Sequence, residues 1–146
     1  MRGRLPEPTQ LKVLKGVHES RINRNEPNPR PVKPKKAPWL DKLARREWNR
    51  MCKLLEPLGL LSEIDGAALG IYCQAFSRLK QAEDAIVQGG MTYEIGGQKK
   101  QRPEILIAEK AMKIIRMIAI EFGMTPSSRG RIEVKVSDEE EDEDLD

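Results

Sequence analysis

Three stretches of this chain place apolar side chains at the three- and four-residue spacing of a helix, and the residues around them supply starts and stops. The first opens behind Pro38-Trp39-Leu40, where Asp41 offers a cap and Leu43, Ala44, Glu47, Trp48, Met51, Leu54 and Leu55 recur as a row. This predicts a helix over about Lys42–Leu55, broken by Pro57 and Gly59. Ser62 with Asp65 three residues on resembles a capping box, and the row Ile64, Ala68, Ile71, Ala75, Leu79, Ala82 and Ile86 carries a second helix to about Gln88. Gly89-Gly90 ends it. Residues 91–95, then Gly96-Gly97, then residues 98–101 read as a small hairpin or ordered loop. Pro103 at a first helical position, with Glu104 beside it, starts a third helix that Gly123 closes near Phe122.

The third helix carries more apolar surface than a helix pair can cover. Ile105, Ala108, Met112, Ile115, Ala119 and Phe122 form one row, and Ile107, Ala111, Ile114 and Ile118 a second beside it. At 100° per residue the two rows span an arc of roughly 160°, whereas one partner helix needs about 100°. Leu106, Met117 and Ile120 add apolar side chains on the opposite face, and Leu69, Phe76 and Val87 lie off the main row of the second helix. The expected architecture is all-α: a three-helix core built on a long antiparallel pair. Its surplus apolar surface is covered either within a compact monomer or, more economically, by further copies of the chain. The residues assigned to that interface are Ile105, Ala108, Met112, Ile115, Ile118, Ala119, Phe122, Leu69 and Phe76.

The ends of the chain follow other patterns. Seven of the ten prolines fall before residue 39, and residues 26–36 alternate proline with polar and basic residues, which predicts an extended arm. Only residues 9–15, between Thr9 and the stop at Gly16, have the pattern of a short helical turn. After Gly123, Thr125-Pro126-Ser127-Ser128-Arg129 predicts one turn at most. Ile132, Val134 and Val136 alternate with Glu133 and Lys135 at strand spacing, which fits either an intersubunit strand or solvated chain. The chain thus divides into an arm (1–38), a helical core (39–124) and a C-terminal segment with an acidic tail (125–146).

Charge sharpens that division. Residues 1–36 carry ten basic and three acidic side chains, whereas residues 138–146 carry eight acidic ones and no basic one. Opposite tails of this kind suit different partners, nucleic acid for the basic end and a basic protein surface for the acidic end. The candidate phosphate-binding residues are Arg2, Arg4, Lys12, Lys15, Arg21, Arg24, Arg30, Lys33, Lys35 and Lys36, with a second group at Lys99, Lys100 and Arg102. The arm has no aromatic residue, so duplex DNA is favoured over a stacked single strand.

Catalytic chemistry finds no such support. Every acid of the core is expected at a cap, such as Asp41, Asp65 and Glu104, or on a polar helix face, such as Glu83, Glu109 and Glu121. His18 stands alone, Cys52 and Cys73 read as small core residues, and neither Gly pair carries the Gly-Lys-Ser/Thr sequence of a phosphate loop. No catalytic, cofactor or metal site is expected. With no apolar run of the roughly 18 residues a membrane helix needs, a cytoplasmic chain without membrane contact is expected.

An ordered series of short segments resembles the terminase small subunits of tailed bacteriophages. It comprises Pro6-Glu7-Pro8-Thr9-Gln10-Leu11-Lys12-Val13-Leu14-Lys15-Gly16, Asn25-Glu26-Pro27-Asn28-Pro29, Pro38-Trp39-Leu40, Leu58-Gly59-Leu60-Leu61, Tyr72-Cys73-Gln74-Ala75-Phe76, and Glu121-Phe122-Gly123-Met124-Thr125-Pro126-Ser127-Ser128-Arg129. His18-Glu19-Ser20-Arg21 departs from the Gly-rich stretch of that pattern. The resemblance implies a non-catalytic DNA-packaging subunit: a homo-oligomeric ring, of about nine copies, that binds double-stranded viral DNA at the packaging site. It also implies recruitment of a separate large terminase subunit, the ATPase and nuclease, by the end of the chain, for which Asp138, Glu139, Glu140, Glu141 and Asp142 are the candidates. Such a subunit would work in the host cytoplasm and be missing from the mature virion. The alternative is a dimeric helical DNA-binding adaptor or transcription regulator.

Overall fold

The computed structural model describes residues 18–21, 25 and 30–129. The expected turn at residues 9–15, the strand periodicity at 132–136 and the acidic tail lie outside the described residues. Three long helices dominate: α1 (Lys42–Leu55), α2 (Gly66–Gly89) and α3 (Pro103–Glu121), followed by the short α4 (Pro126–Arg129). A two-stranded antiparallel hairpin of β1 (Thr92–Ile95) and β2 (Gln98–Gln101) joins α2 to α3.

Local chemistry sets the element ends. Asp41 caps α1, its Oδ1 accepting the Ala44 N–H at 2.9 Å. The Ser62 N–H and Oγ both donate to Asp65 Oδ2 at 2.7 Å, so the expected capping box forms. It opens a single 3-10 turn, Glu63–Asp65, rather than α2 itself. That turn carries Ile64 out to 72% exposure, a correction to its place at the head of the core row. Gly96 and Gly97 have φ of +59° and +72°, the pair of left-handed residues that a tight hairpin turn requires. Thr125 and Ser128 cap each other across α4, Ser128 N–H donating to Thr125 Oγ1 at 3.2 Å and Thr125 N–H to Ser128 Oγ at 3.1 Å.

The core occupies one end of the molecule. Leu40, Ala44, Trp48, Met51, Cys52 and Leu55 from the α1 region meet Leu69, Tyr72 and Cys73 of α2, with Ile118 of α3 and Phe122 just past its end closing the cluster. Leu69 is fully buried in it, so its distance from the main α2 row reflects a second neighbour, α1, inside the same chain. Leu54, expected in the α1 row, instead faces solvent. Both cysteines are buried, and burial pushes the Cys73 thiol up to about 12. Burial raises the Cys52 thiol and the Tyr72 phenol as well.

One acid breaks the expected rule. Glu47 is buried on the core side of α1, where Arg50 Nε donates to its Oε2 at 2.8 Å and Arg50 Nη2 to its Oε1. The acids therefore do not all sit at caps or on polar faces, because an arginine one turn away lets Glu47 enter the core as half of an ion pair. Beyond the reach of α1, α2 and α3 pack on each other along a seam of small residues, Ala75, Ala82, Ala108 and Ala111, all buried. Among the described residues, no helix is long and apolar enough to cross a membrane.

Candidate nucleic-acid and assembly interfaces

The arm joins the folded body earlier than its proline content suggests. Pro34 is buried, and a Cβ placed on Gly66 would lie 3.3 Å from the Pro34 Cβ. The missing side chain at Gly66, the first residue of α2, leaves room for the proline ring. Two residues on, Lys36 Nζ donates to Asn49 Oδ1 of α1 at 2.7 Å, and Arg45 Nη2 donates to the Pro38 carbonyl at 3.1 Å. Packing thus begins at Pro34, ahead of the expected start at Pro38. Lys35 and Lys36 are consequently held beside the core, and Arg30 and Lys33 lie exposed just before it. Arg21 ends the one-turn 3-10 helix Glu19–Arg21, and Arg2, Arg4, Lys12, Lys15 and Arg24 lie outside the described residues.

The docked end of the arm meets a basic helix that sequence reasoning passes over. Lys42, Arg45, Arg46, Arg50 and Lys53 are all exposed on α1. Positions 42, 46, 49 and 53 recur at helical spacing, so the stripe is readable in principle, but the prolines and lysines of the arm draw the assignment away. The second basic group divides: Arg102 Nε donates to the Gly89 carbonyl at 2.9 Å and ties the base of the hairpin, while Lys99 and Lys100 stay exposed on β2 opposite Glu94 and Tyr93.

Of the nine residues assigned to self-association, Leu69, Ala108, Ile118 and Phe122 are buried within one chain. Phe76, Ile105, Ile115 and Ala119 are half-buried, and Met112 is exposed. The apolar surface left over is nonetheless large. Leu106, Ile107, Met117 and Ile120 are exposed on α3, as is Val87 on α2. Between the two helices runs an open groove of about 670 Å³, with Trp39, Ile71, Ala75, Ile107 and Ile114 in its walls and Arg78 at its rim. Glu104, at the start of α3, lines the groove with a buried Oε2 that has no hydrogen-bond partner. Asp138, Glu139, Glu140, Glu141 and Asp142 lie outside the described residues.

Comparison with curated proteins and with solved structures yields no match. The family model for the small subunit of phage terminase matches residues 44–139, which takes in all three long helices except the first two residues of α1. With two thirds of its length, and nearly all of its helical core, inside that match, the chain belongs to the phage terminase small-subunit family.

Proposed function

We propose that this chain is the DNA-recognition and regulatory subunit of a phage packaging motor, working as a homo-oligomeric ring in the host cytoplasm. Family membership supports the packaging role, and small terminase subunits are generally the non-catalytic ones. In this reading the basic arm, with Arg2, Arg4, Lys12, Lys15, Arg21, Arg24, Arg30, Lys33, Lys35 and Lys36, engages the phosphates of double-stranded viral DNA. The acidic end, from Asp138 onward, engages the large subunit that holds the ATPase and nuclease.

The observation that carries the ring is α3, which keeps apolar side chains exposed on its outward face, Leu106, Met117 and Ile120, after its inward face has been used in the core. Its groove side, at Ile107, is equally uncovered. Two different apolar surfaces on one chain suit head-to-tail association, which closes into a ring when the rotation between copies divides a full turn. Light scattering at two salt concentrations tests this. A single species many times 16.6 kDa, unchanged by salt, is the expected result. A monomer or dimer would remove the ring and put the dimeric adaptor or transcription regulator ahead of it.

A further inference from the structure

We infer that the exposed face of α1 is a second, rigid duplex-DNA contact, continuous with the docked end of the arm. The inference rests on the DNA-binding reading above and gives it a fixed surface. Five of the fourteen residues of α1 are lysine or arginine, and its one acid, Glu47, is turned into the core. At 100° per residue, Lys42, Arg45, Arg46 and Lys53 fall within an arc of roughly 100° centred near Asn49, with Arg50 about 40° beyond it. Asn49 is the residue to which Lys36 is bonded, so the last cation of the arm lies in the middle of that face.

A helix face that only confers solubility mixes both signs, as Lys80 and Asp84 do on α2. The α1 face does not. Among the described residues, no carboxylate pairs with Lys42, Arg45, Arg46 or Lys53, and Arg50 alone has a counter-charge. Glu56, the C-cap, is the next exposed acid along the chain. From Lys42 to Lys53 the helix advances about 17 Å, a length over which duplex DNA presents on the order of ten phosphate charges.

The same face lacks what a single strand or a base sequence would need. Trp48, the aromatic residue of α1, is fully buried, and Trp39, though 56% exposed, sets its ring edge against Gly70 beside the α2–α3 groove and not on the α1 face. With no exposed aromatic side chain among the cations of α1 itself, the surface fits the phosphates of a duplex, independent of sequence. The arm supplies reach, and α1 supplies a surface whose geometry is set before DNA arrives. Held cations lose less freedom on binding than those on a free arm.

The test uses the full-length chain carrying Lys42→Gln, Arg46→Gln and Lys53→Gln, three substitutions that remove no hydrogen bond from the fold. Binding to a labelled random-sequence duplex is measured across 50 to 200 mM salt, with helicity and solution mass as controls. Each phosphate that the substituted helix no longer neutralises flattens the salt slope by about 0.9 and weakens binding at 0.1 M salt roughly tenfold, so three such phosphates flatten it by about 2.7. An unchanged slope and affinity overturns the inference while leaving the DNA-binding reading intact. Tighter binding also overturns it. Failure of the unsubstituted chain to bind duplex at all removes the DNA-binding reading and this surface with it.

Discussion

Asp41 receives hydrogen bonds from two helices at once. Its Oδ1 takes the Ala44 N–H of α1, while Gln74 Nε2 and Ser77 Oγ of α2 donate to its Oδ2 at 2.7 Å. Burial raises this carboxyl, but the bonds from Ala44, Ser77, Gln74 and Leu43 outweigh burial and hold it below its ordinary 3.8. A depressed carboxylate stabilises the fold fully above its unfolded pKa, and that contribution is lost as pH falls through the lower folded value. Asp41→Asn should therefore be less stable than the unsubstituted protein in urea at neutral pH, with the gap narrowing below about pH 3.8. A gap independent of pH would show that the charge is not what matters there. The capping role of Asp41 was legible in the sequence because a cap is read from its immediate neighbours. Gln74 and Ser77 lie 33 and 36 residues away, and no local pattern points to them. Glu47 was opaque for a related reason: its position in the α1 row was visible, but only the fold shows that Arg50 makes its burial tolerable.

At the scale of elements, the boundaries were the legible part. Asp41 before α1, Gly90 after α2, Pro103 at the start of α3 and Gly123 after its end are punctuation with a steric or hydrogen-bonding cause, and the helices end within a residue of where they indicate. Facing was less legible. Periodicity groups residues into rows without saying which neighbour each row meets. In α2 the row through Leu69 and Cys73 meets α1, while Ala75 and Ala82 face α3. For α3 the distinction has a consequence one residue apart: Ile118 is buried in the core and Met117 is 58% exposed. Met117→Asp should keep the far-UV signature of the folded chain yet lower the mass of the assembly in light scattering. Ile118→Asp should unfold the chain, since it places an unpaired charge in the core. Equal masses for Met117→Asp and the unsubstituted protein would exclude the outward face of α3 from the contact between copies.

Across the whole molecule, the family was legible because its resemblance resides in an ordered series of short segments, and order along a chain survives without knowledge of contacts. The family match begins at residue 44 and leaves the arm outside it, so the reading of residues 1–38 rests on their charge, their composition and the short segments within them that resemble the family. The helices differ in length, 14 residues in α1 against 24 in α2 and 19 in α3, and the core accordingly fills one end. At the other end, α2, α3 and the hairpin form two layers with solvent on both sides. Such a body is a lever fixed at its base, and its cooperativity should be graded. In native-state hydrogen exchange of a chain held dilute enough to be monomeric, the slowest amides should belong to α1 and to the parts of α2 and α3 near Leu69–Cys73 and Ile118. Those beside the hairpin should exchange through local fraying, at far lower free energy. If assembly then slows exchange at the hairpin end most, the copies are splinting one another where each is weakest, and the free end of the lever is where the ring proposed above would bend without melting.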